Sequence, residues 1–498
     1  MKKIGALLFL AATLTGSFAQ TNLPTARPMS LTDCFAAALT NNFDVRIQRY
    51  NPQISQFDLS SAYGGYDPQF TFSGTHSYND TGASFQYGQT LPATIYNNNS
   101  FNSAFTGDTP WGMTYNLGGN ISEQHISRGG GTNFLMTDSS SGSAGLSVTQ
   151  PLLKNFWIDN NRLTILVAKN QLKYSEQGLR NQLITTVTAV ENAYYELIYA
   201  RENVKVELEA LDLAQTQLDQ DQQRVQVGTL APLNLQQDQA QVAQSRANLI
   251  AARNTYSMDQ NTLKNLLTDN FLQWHDVDIE PTATLQAVRQ LLDVQDSWSK
   301  GMTERPDLLQ AKLNVERQGI QLKYYRNQLF PELDLVGSYG FNGSGAQYRD
   351  SFSQINEGSG PYYSYGGQLT IPLSNVRARN QLKAGKVTEK QLLLQLKQLE
   401  QNVMVQIDNA VKSAQSAWES VDATRQARIY AEAALAAEQK KYAVGKSTTF
   451  TVLQLQNSLT SARSQEIRAL ANYNEALANL AAAEGSTLER DHLNLEAN

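Results

Sequence analysis

The segment Arg224-Val-Gln-Val-Gly-Thr229 recurs in the second half of the chain as Lys441-Tyr-Ala-Val-Gly-Lys446. A run of about 65 residues without proline precedes each glycine, which at 1.5 Å per residue is enough for roughly 100 Å of helix. Glycine often ends a helix, because it adopts the left-handed conformation without a steric penalty. The two segments therefore predict two helix hairpins, each with a long helix, a tight turn and a returning helix. The predicted helices cover 162–226, 233–267, 378–443 and 450–483.

Matched spacings indicate that the two halves of the chain are a tandem duplication. Pro68 lies 24 residues after Asp44, and Pro331 lies 24 residues after Asp307. Agreement at several such registers indicates repeated structural units rather than chance. The predicted organisation is a first repeat over 20–267, a linker or equatorial belt over 268–304, a second repeat over 305–484 and a C-terminal tail over 485–498.

Four prolines mark junctions between helical and extended segments, since the residue before a proline disfavours the helical conformation. They are Pro68, Pro151, Pro331 and Pro372. Apolar and polar residues alternate beside them, as in Phe70-Thr-Phe-Ser-Gly74, and this period of two predicts β-strands. The four predicted strands lie at about 68–79, 143–151, 331–342 and 362–372.

Strands with one apolar and one polar face occur in two classes of protein. They are typical of a membrane β-barrel around water, and also of a sheet packed on a soluble core. We favour the barrel, because the sequence offers no other core against which the sheet would pack. Four strands cannot close a barrel, for which about eight is the practical minimum. The chain is therefore expected to oligomerise, and strand arithmetic allows several multiples.

The first strand pair encloses a much longer segment than the second. Pro151 lies 83 residues after Pro68, whereas Pro372 lies 41 residues after Pro331. The excess, at about 79–143, is rich in Asn, Gly, Ser, Thr and aromatic residues. This composition predicts a long loop on the outer face, either covering the mouth of the barrel or mobile on its surface.

The first nineteen residues have the pattern of a signal peptide. Lys2 and Lys3 precede an apolar run from Gly5 to Gly16, which is too short to span a bilayer. Small residues at Ser17 and Ala19 fit a cleavage site. We expect 1–19 to be an export signal.

The composition excludes several classes of function. A net charge of −6 argues against a nucleic-acid-binding protein, which needs a basic surface. With one cysteine and four scattered histidines, we predict no metal site and no cofactor. Glu191 and Asp408 would be carboxylates for a secreted enzyme, but the duplication places them at equivalent positions in separate halves. Nothing therefore supports a paired acid–base site, and no catalytic residue is predicted.

This set of features resembles the TolC-like outer-membrane efflux proteins, the outer membrane factor family. The resemblance covers about 31–484 and rests on Leu31 to Asn42, the proline junctions, Gln150-Pro-Leu-Leu153 and the two glycine turns. It implies a membrane β-barrel joined to a long α-helical barrel, with four strands and long antiparallel helices per protomer. It selects the homotrimer, which would supply twelve strands. It also implies localisation in the outer membrane of a Gram-negative-type cell, with the helical domain in the periplasm.

The resemblance implies a passive exit duct of a tripartite efflux or type I secretion system. The implied partners are outer-membrane lipid, a periplasmic membrane-fusion adaptor and an inner-membrane pump, with no nucleic acid. The alternative is a helical stalk anchored in the outer membrane, with a structural or adhesive role. The two repeated tight turns favour docking over adhesion, while the cargo (drug, metal or protein) stays open.

Roles for individual residues also follow from the resemblance. It implies that the adaptor contacts the turn tips, which are Val227, Gly228, Thr229, Val444, Gly445 and Lys446. It implies a periplasmic gate whose candidates here are Asn234, Gln237, Tyr442, Ser447, Thr451 and Gln454. The best-known family pattern has aspartates where this chain has Thr451 and Gln454, so we expect weaker block by multivalent cations. A hydrogen bond between Asn234 and Tyr442 would still latch adjacent helices.

Overall fold

The structure is a computed structural model that describes residues 25–129 and 135–493, so the expected signal peptide at 1–19 lies outside the described residues. The chain divides into two compact units. The helical unit contains 25–46, 183–294 and 408–493 of the described residues, and the sheet unit contains 47–182 and 295–407 apart from 130–134.

Both halves of the chain contain the same series of long helices. In the first half these are α2 (Phe43–Tyr63), α3 (Asn160–Gln226) and α4 (Leu233–Leu267). In the second half they are α7 (Pro306–Asn327), α9 (Val376–Ala443) and α10 (Thr449–Glu484). Because α3 has 67 residues and α9 has 68, the duplication extends to the length of the elements. The shorter helices are α1 (Leu31–Asn41), α5 (Phe271–Trp274), α6 (Val294–Glu304), α8 (Tyr348–Glu357) and α11 (Thr487–Arg490).

One antiparallel sheet of six strands dominates the sheet unit, in the order β10-β9-β7-β6-β5-β2. Its strands are β2 (Gln69–Asp80), β5 (Thr94–Asp108), β6 (Thr114–Arg128), β7 (Leu135–Pro151), β9 (Glu332–Gly345) and β10 (Pro361–Thr370). A separate small hairpin consists of β3 (Ser84–Gln86) and β4 (Gln89–Leu91). The helical unit holds one parallel pair, β1 (Thr25–Met29) with β8 (Val277–Pro281).

The number of strands in the large sheet differs from the sequence prediction. Four strands and a long loop at about 79–143 were expected, but this segment contributes β5 and β6 to the sheet. Asn97, Asn98 and Asn99 in β5 have low strand propensity, so the segment has the composition of a loop. The neighbouring strands supply what local propensity lacks, because all of β2 pairs with β5 and all of β6 pairs with β5.

Helix α8 lies directly on the outer part of the large sheet. A Cβ atom on Gly343 of β9 would overlap the carbonyl oxygen of Ser351, so only glycine lets the helix approach this closely. The Ser351 hydroxyl donates a hydrogen bond to Oγ of Ser140 in β7 (2.9 Å). The Tyr348 hydroxyl donates to the carbonyl oxygen of Asn99 in β5 (3.1 Å), so α8 joins three strands.

The core of the helical unit is a narrow apolar seam rather than a thick interior. In α3 the fully buried residues recur every three or four positions, which is the spacing of one helix face. They are Val187, Val190, Tyr194, Leu197 and Ile198. Two further seams involve α9 and α10, one around Val421 and Tyr473 and one around Leu435 and Val452.

The parallel pair β1–β8 is attached to this seam through side chains. The Tyr194 hydroxyl donates to the carbonyl oxygen of Met29 in β1 (3.0 Å) and accepts from the backbone N–H of Ala283 (3.3 Å). On β8, Ile279 exchanges two hydrogen bonds with the Gln260 side-chain amide, which replaces a neighbouring strand. The predicted linker at 268–304 thus includes one strand of a small sheet whose other strand, β1, the sequence did not reveal.

No helix among the described residues is both long and apolar enough to cross a membrane.

Candidate functional site at the two helix-hairpin turns

The turns that follow α3 and α9 have the same backbone geometry. Gly228 is in the left-handed conformation with φ 77°, and Gly445 matches it with φ 74°. The backbone N–H of Thr229 donates to the carbonyl oxygen of Arg224 (2.8 Å), and the equivalent bond of the second turn is 2.9 Å long. This six-residue closure is a Schellman motif. A Cβ atom at either glycine would meet nothing within 4 Å, so the backbone angle rather than packing requires glycine.

Each turn exposes apolar side chains at its tip. Val227 is 73% exposed beside Leu233 at 65%, and Val444 is 68% exposed beside Phe450 at 65%. Such residues stand out because the flanking helix faces are rich in glutamine and charged residues. Exposed apolar groups in a polar surround are typical of protein-binding sites.

A buried hydrogen-bond cluster lies close behind the turns. The Tyr442 hydroxyl lies 2.6 and 2.7 Å from the two carboxylate oxygens of Asp221, to which it donates its proton. Thr449 Oγ1 is 2.9 Å from the same hydroxyl, and the Gln217 amide donates to Asp221 (2.9 Å). The Arg224 guanidinium lies over the tyrosine ring, 4.4 Å from its centre. We call these five residues the tyrosine latch; it ties α3 to both helices of the second hairpin.

The latch replaces the hydrogen bond that the sequence predicted. Tyr442 is buried as a latch should be, but it bonds to Asp221 instead of Asn234. Asn234 lies half-buried in the first turn of α4, and Gln237, one turn later, is exposed. Asp221 was missed because its contact with Tyr442 depends on how two helices from different repeats pack, which sequence spacing does not encode.

The other gate candidates lie around the start of α10. Thr451 donates its backbone N–H to Oγ1 of Thr448, the N-cap of this helix (3.3 Å). The Ser447 hydroxyl donates to the Glu438 carboxylate (2.6 Å), which together with Lys441 lowers the pKa of that carboxyl. Gln454 is exposed and lines an open groove of about 760 Å³ between α4 and α10. Thr451 and Ser447 therefore stabilise the turn locally, and only Tyr442 bridges between hairpins.

Asp238 is a second buried carboxyl group beside the latch. It is 0% exposed, and neither of its oxygens has a hydrogen-bond partner among the described residues. Burial, and then the charge of nearby Asp221, raise the pKa of Asp238 to about 7. Asp221 precedes Gly228 by seven residues and Asp238 follows it by ten, so the two antiparallel helices bring them level. That spacing is the sequence signal by which this pair could have been found.

The raised pKa predicts that the turn region loses stability as pH rises. A group whose folded-state pKa exceeds its unfolded value near 4 stabilises the fold while protonated, and this stability disappears as pH passes the folded-state pKa. Between about pH 6 and 8 we expect the opening free energy near the turns to fall by about 1.4 kcal/mol. Amide hydrogen exchange of α4, corrected for intrinsic rates, measures this. Asp238→Asn should remove the dependence, and an unchanged dependence in that variant would assign it to another group.

The four junction prolines flank strands of the sheet unit. Pro151 is the last residue of β7, Pro68 and Pro331 immediately precede β2 and β9, and Pro372 follows β10 by two residues. In the parts of the chain that the structure describes, no group of three or more His, Cys, Asp or Glu could hold a metal ion.

Comparison with known proteins adds to this geometry. Residues 108–268 and 299–486 match the model of a family described as outer membrane efflux protein. The chain belongs to the outer membrane efflux protein family. Its likeness to BepC, an outer membrane efflux protein of Brucella suis biovar 1 (strain 1330), is 24% identity over 321 residues, covering 64% of this chain and 67% of that protein. With the outer membrane protein TolC of Escherichia coli (strain K12) it shares 25% identity, covering 62% and 63%.

Solved structures show the same fold as this outer membrane efflux protein. The CmeC outer membrane channel of Campylobacter jejuni superimposes with a TM-score of 0.66 at 14% identity, covering 94% of this chain and 90% of that one. The outer membrane protein VceC of Vibrio cholerae gives 0.66 at 17% identity, covering 91% and 96%. The alignments with curated relatives span about two thirds of their length. The resemblance and the fold class stated from the sequence are confirmed, with six strands per chain in place of four.

Proposed function

We propose that this protein is the passive outer-membrane exit duct of a tripartite efflux or type I secretion system. In this proposal three copies assemble, the sheet unit lies in outer-membrane lipid, and the helical unit lies in the periplasm of a Gram-negative-type cell. The tips Val227 to Thr229 and Val444 to Lys446 dock on a membrane-fusion adaptor, which links the duct to an inner-membrane pump. Energy comes from the pump.

The observation that carries the proposal is the matched pair of turns. Two segments more than two hundred residues apart have the same left-handed glycine, the same backbone closure and an exposed valine at the same position. Closing a helix hairpin requires the glycine but not an exposed valine. A protein-binding role accounts for both valines, since an apolar side chain at an interface centre contributes to affinity.

The sheet unit supports the membrane part of the proposal. One face of the sheet carries exposed aromatic side chains, including Phe70 at 70%, Phe72 at 67% and Tyr363 at 75%. The opposite face carries serine, threonine and asparagine, as the pairing of Ser73 with Asn102 illustrates. An apolar face of this extent needs to be covered, and lipid covers it in outer-membrane barrels.

The docking role is tested by making the tips polar. We expect the double variant Val227→Asp with Val444→Asp to lower export of a test dye about tenfold, since one lost apolar anchor is worth about 1.4 kcal/mol. Ion conductance of the purified protein in planar bilayers should be unchanged, because the variant leaves the sheet intact. Val387→Asp is the matched control, as Val387 is 66% exposed on α9 far along the chain from the turn. A wild-type protein that conducts no ions would instead support the stalk.

A further inference from the structure

We propose that the β5–β6 hairpin is part of the membrane wall and that three copies of the six-stranded sheet close into one barrel of eighteen strands. The inference rests on the trimeric duct proposed above and changes its dimensions, because the family resemblance alone implied twelve strands. The surfaces that pair are the free edges of β2 and β10, and the partner on each edge is a second copy of this chain.

The extra hairpin is long enough to cross a bilayer. Strands β5 and β6 have 15 residues each, and a membrane-spanning β-strand needs about 9–11. All residues of β5 pair with β6, and β6 pairs over its full length with β7. The hairpin is therefore a continuous part of the sheet, inserted between β2 and β7.

The hairpin also continues both faces of the sheet. Residues that pair directly across antiparallel strands lie on the same face, so the register defines rows of side chains. One row crosses all six strands and is apolar throughout: Phe70, Phe105, Leu117, Leu146, Tyr339 and Tyr363. A row on the other face is polar throughout: Ser73, Asn102, Asn120, Ser143 and Asn342. A loop lying in water outside the membrane would need no apolar row that matches its neighbours.

The turn between β5 and β6 is fixed at the start of α3. Nε of Arg162 donates to the carbonyl oxygen of Pro110 (2.8 Å), and Nδ2 of Asn161 donates to the carboxylate of Asp108 (3.2 Å). Because α3 begins at the proline-junction end of the sheet, the hairpin extends over the full height of the sheet. Trp111 at this turn is 58% exposed, and tryptophan is enriched at membrane–water interfaces.

The two outer strands have the directions that closure requires. All neighbouring strands in the sheet are antiparallel, so in a row of six β2 and β10 run in opposite directions. The β10 edge of one copy can therefore pair antiparallel with the β2 edge of the next copy. Open edges are not tolerated in lipid, where every backbone group needs a partner, so the edges must pair.

The larger strand number gives a wider channel. Barrel diameter grows roughly linearly with strand number, so eighteen strands give a barrel about 1.5 times as wide as twelve. The channel-facing row of serine and asparagine side chains carries hydroxyl and amide groups and no charge. The membrane part of the duct therefore admits larger hydrated cargo and selects little by charge.

The position of the hairpin is tested with two cysteines on adjacent residues of β6. Leu117 is on the apolar face and Asn116 on the polar face, both are exposed in the single chain, and Cys34, the only native cysteine, is buried. In proteoliposomes of the full chain we expect a water-soluble maleimide to modify Leu117→Cys about tenfold more slowly than Asn116→Cys. Brominated lipid should quench a fluorophore at position 117 and not one at 116. Equal reaction rates with no quenching would overturn the inference.

A second measurement does not depend on any variant. Electron cryo-microscopy of the wild-type protein in lipid nanodiscs counts the strands directly. Eighteen strands in a trimer are expected. Twelve strands in a trimer, with the hairpin in water, would overturn the inference and leave the proposed duct standing. A particle that is not a trimer would overturn the proposed assembly itself.

Discussion

Replacing Tyr442 by phenylalanine is expected to release the helix ends beside both turns. The variant removes the only hydroxyl that the latch places within 2.7 Å of both Asp221 oxygens, while Asp221 stays 0% exposed. A buried carboxylate that loses its main donor costs about 2–3 kcal/mol. Hydrogen exchange of the amides in the last turns of α9 and the first turns of α10 should therefore accelerate about 30- to 100-fold, because each 1.4 kcal/mol is a factor of ten.

A double-mutant cycle separates the latch from general loss of packing. Asp221→Asn keeps a hydrogen-bond acceptor and removes the charge, so alone it should cost less than about 1 kcal/mol. With the charge gone, adding Tyr442→Phe should cost clearly less than it does in the wild type. Asp221→Asn should also lower the pKa of Asp238, since the Asp221 carboxylate contributes to its rise. Additive costs in the double variant would mean that the Tyr442–Asp221 contact has no special weight. If the latch also holds a gate, Tyr442→Phe should raise the resting bilayer conductance.

Replacing Tyr194 by alanine is expected to destabilise the helical unit by about 3–5 kcal/mol, the usual cost of removing a fully buried aromatic side chain. The ring fills the α3 seam, and the hydroxyl holds both Met29 of β1 and Ala283 just after β8. Urea unfolding, followed by hydrogen exchange of α3 peptides, measures the loss. Exchange of the amides in β1 should increase first, since β1 reaches the seam through this hydroxyl.

Tyr194→Phe is the control for this prediction. It keeps the ring and removes only the two hydrogen bonds, so the cost should be about 1–2 kcal/mol and concentrated in β1 and β8. Equal losses for the alanine and phenylalanine variants would show that packing of the ring contributes little. Together the two variants distinguish the seam of the helical unit from the attachment of its small sheet.

The sequence predicted the helices well because their signals are local. A proline-free run and a glycine define each hairpin, and both signals act within a few residues of where they stand. The strands β5 and β6 were missed because only Phe101 and Phe105 in β5 show the apolar alternation, while its outer part is rich in asparagine. Partners on both sides, distant in sequence or read as loop, stabilise these strands instead. The five-residue strand β1 contains a proline and has no periodicity to find.

The candidate site divides in the same way. The turn glycines follow from sequence because a left-handed backbone angle favours glycine wherever it occurs. The partner of Tyr442 could not be deduced, since Asn234 and Asp221 are both polar residues near a turn and only helix packing decides between them. The unbonded state of Asp238 likewise depends on what surrounds it, and composition is silent on that point.

The duplicated turns match in backbone but not in charge. Thr229 in the first is neutral and Lys446 in the second is cationic. In a ring of three chains, the six tips would repeat every 60° in shape but only every 120° in electrostatic potential. A partner that follows shape alone can settle in two registers, whereas an acidic group facing Lys446 leaves one. The second half of an ancient duplication would then act as a rotational key, setting the angle at which the neighbouring ring is seated.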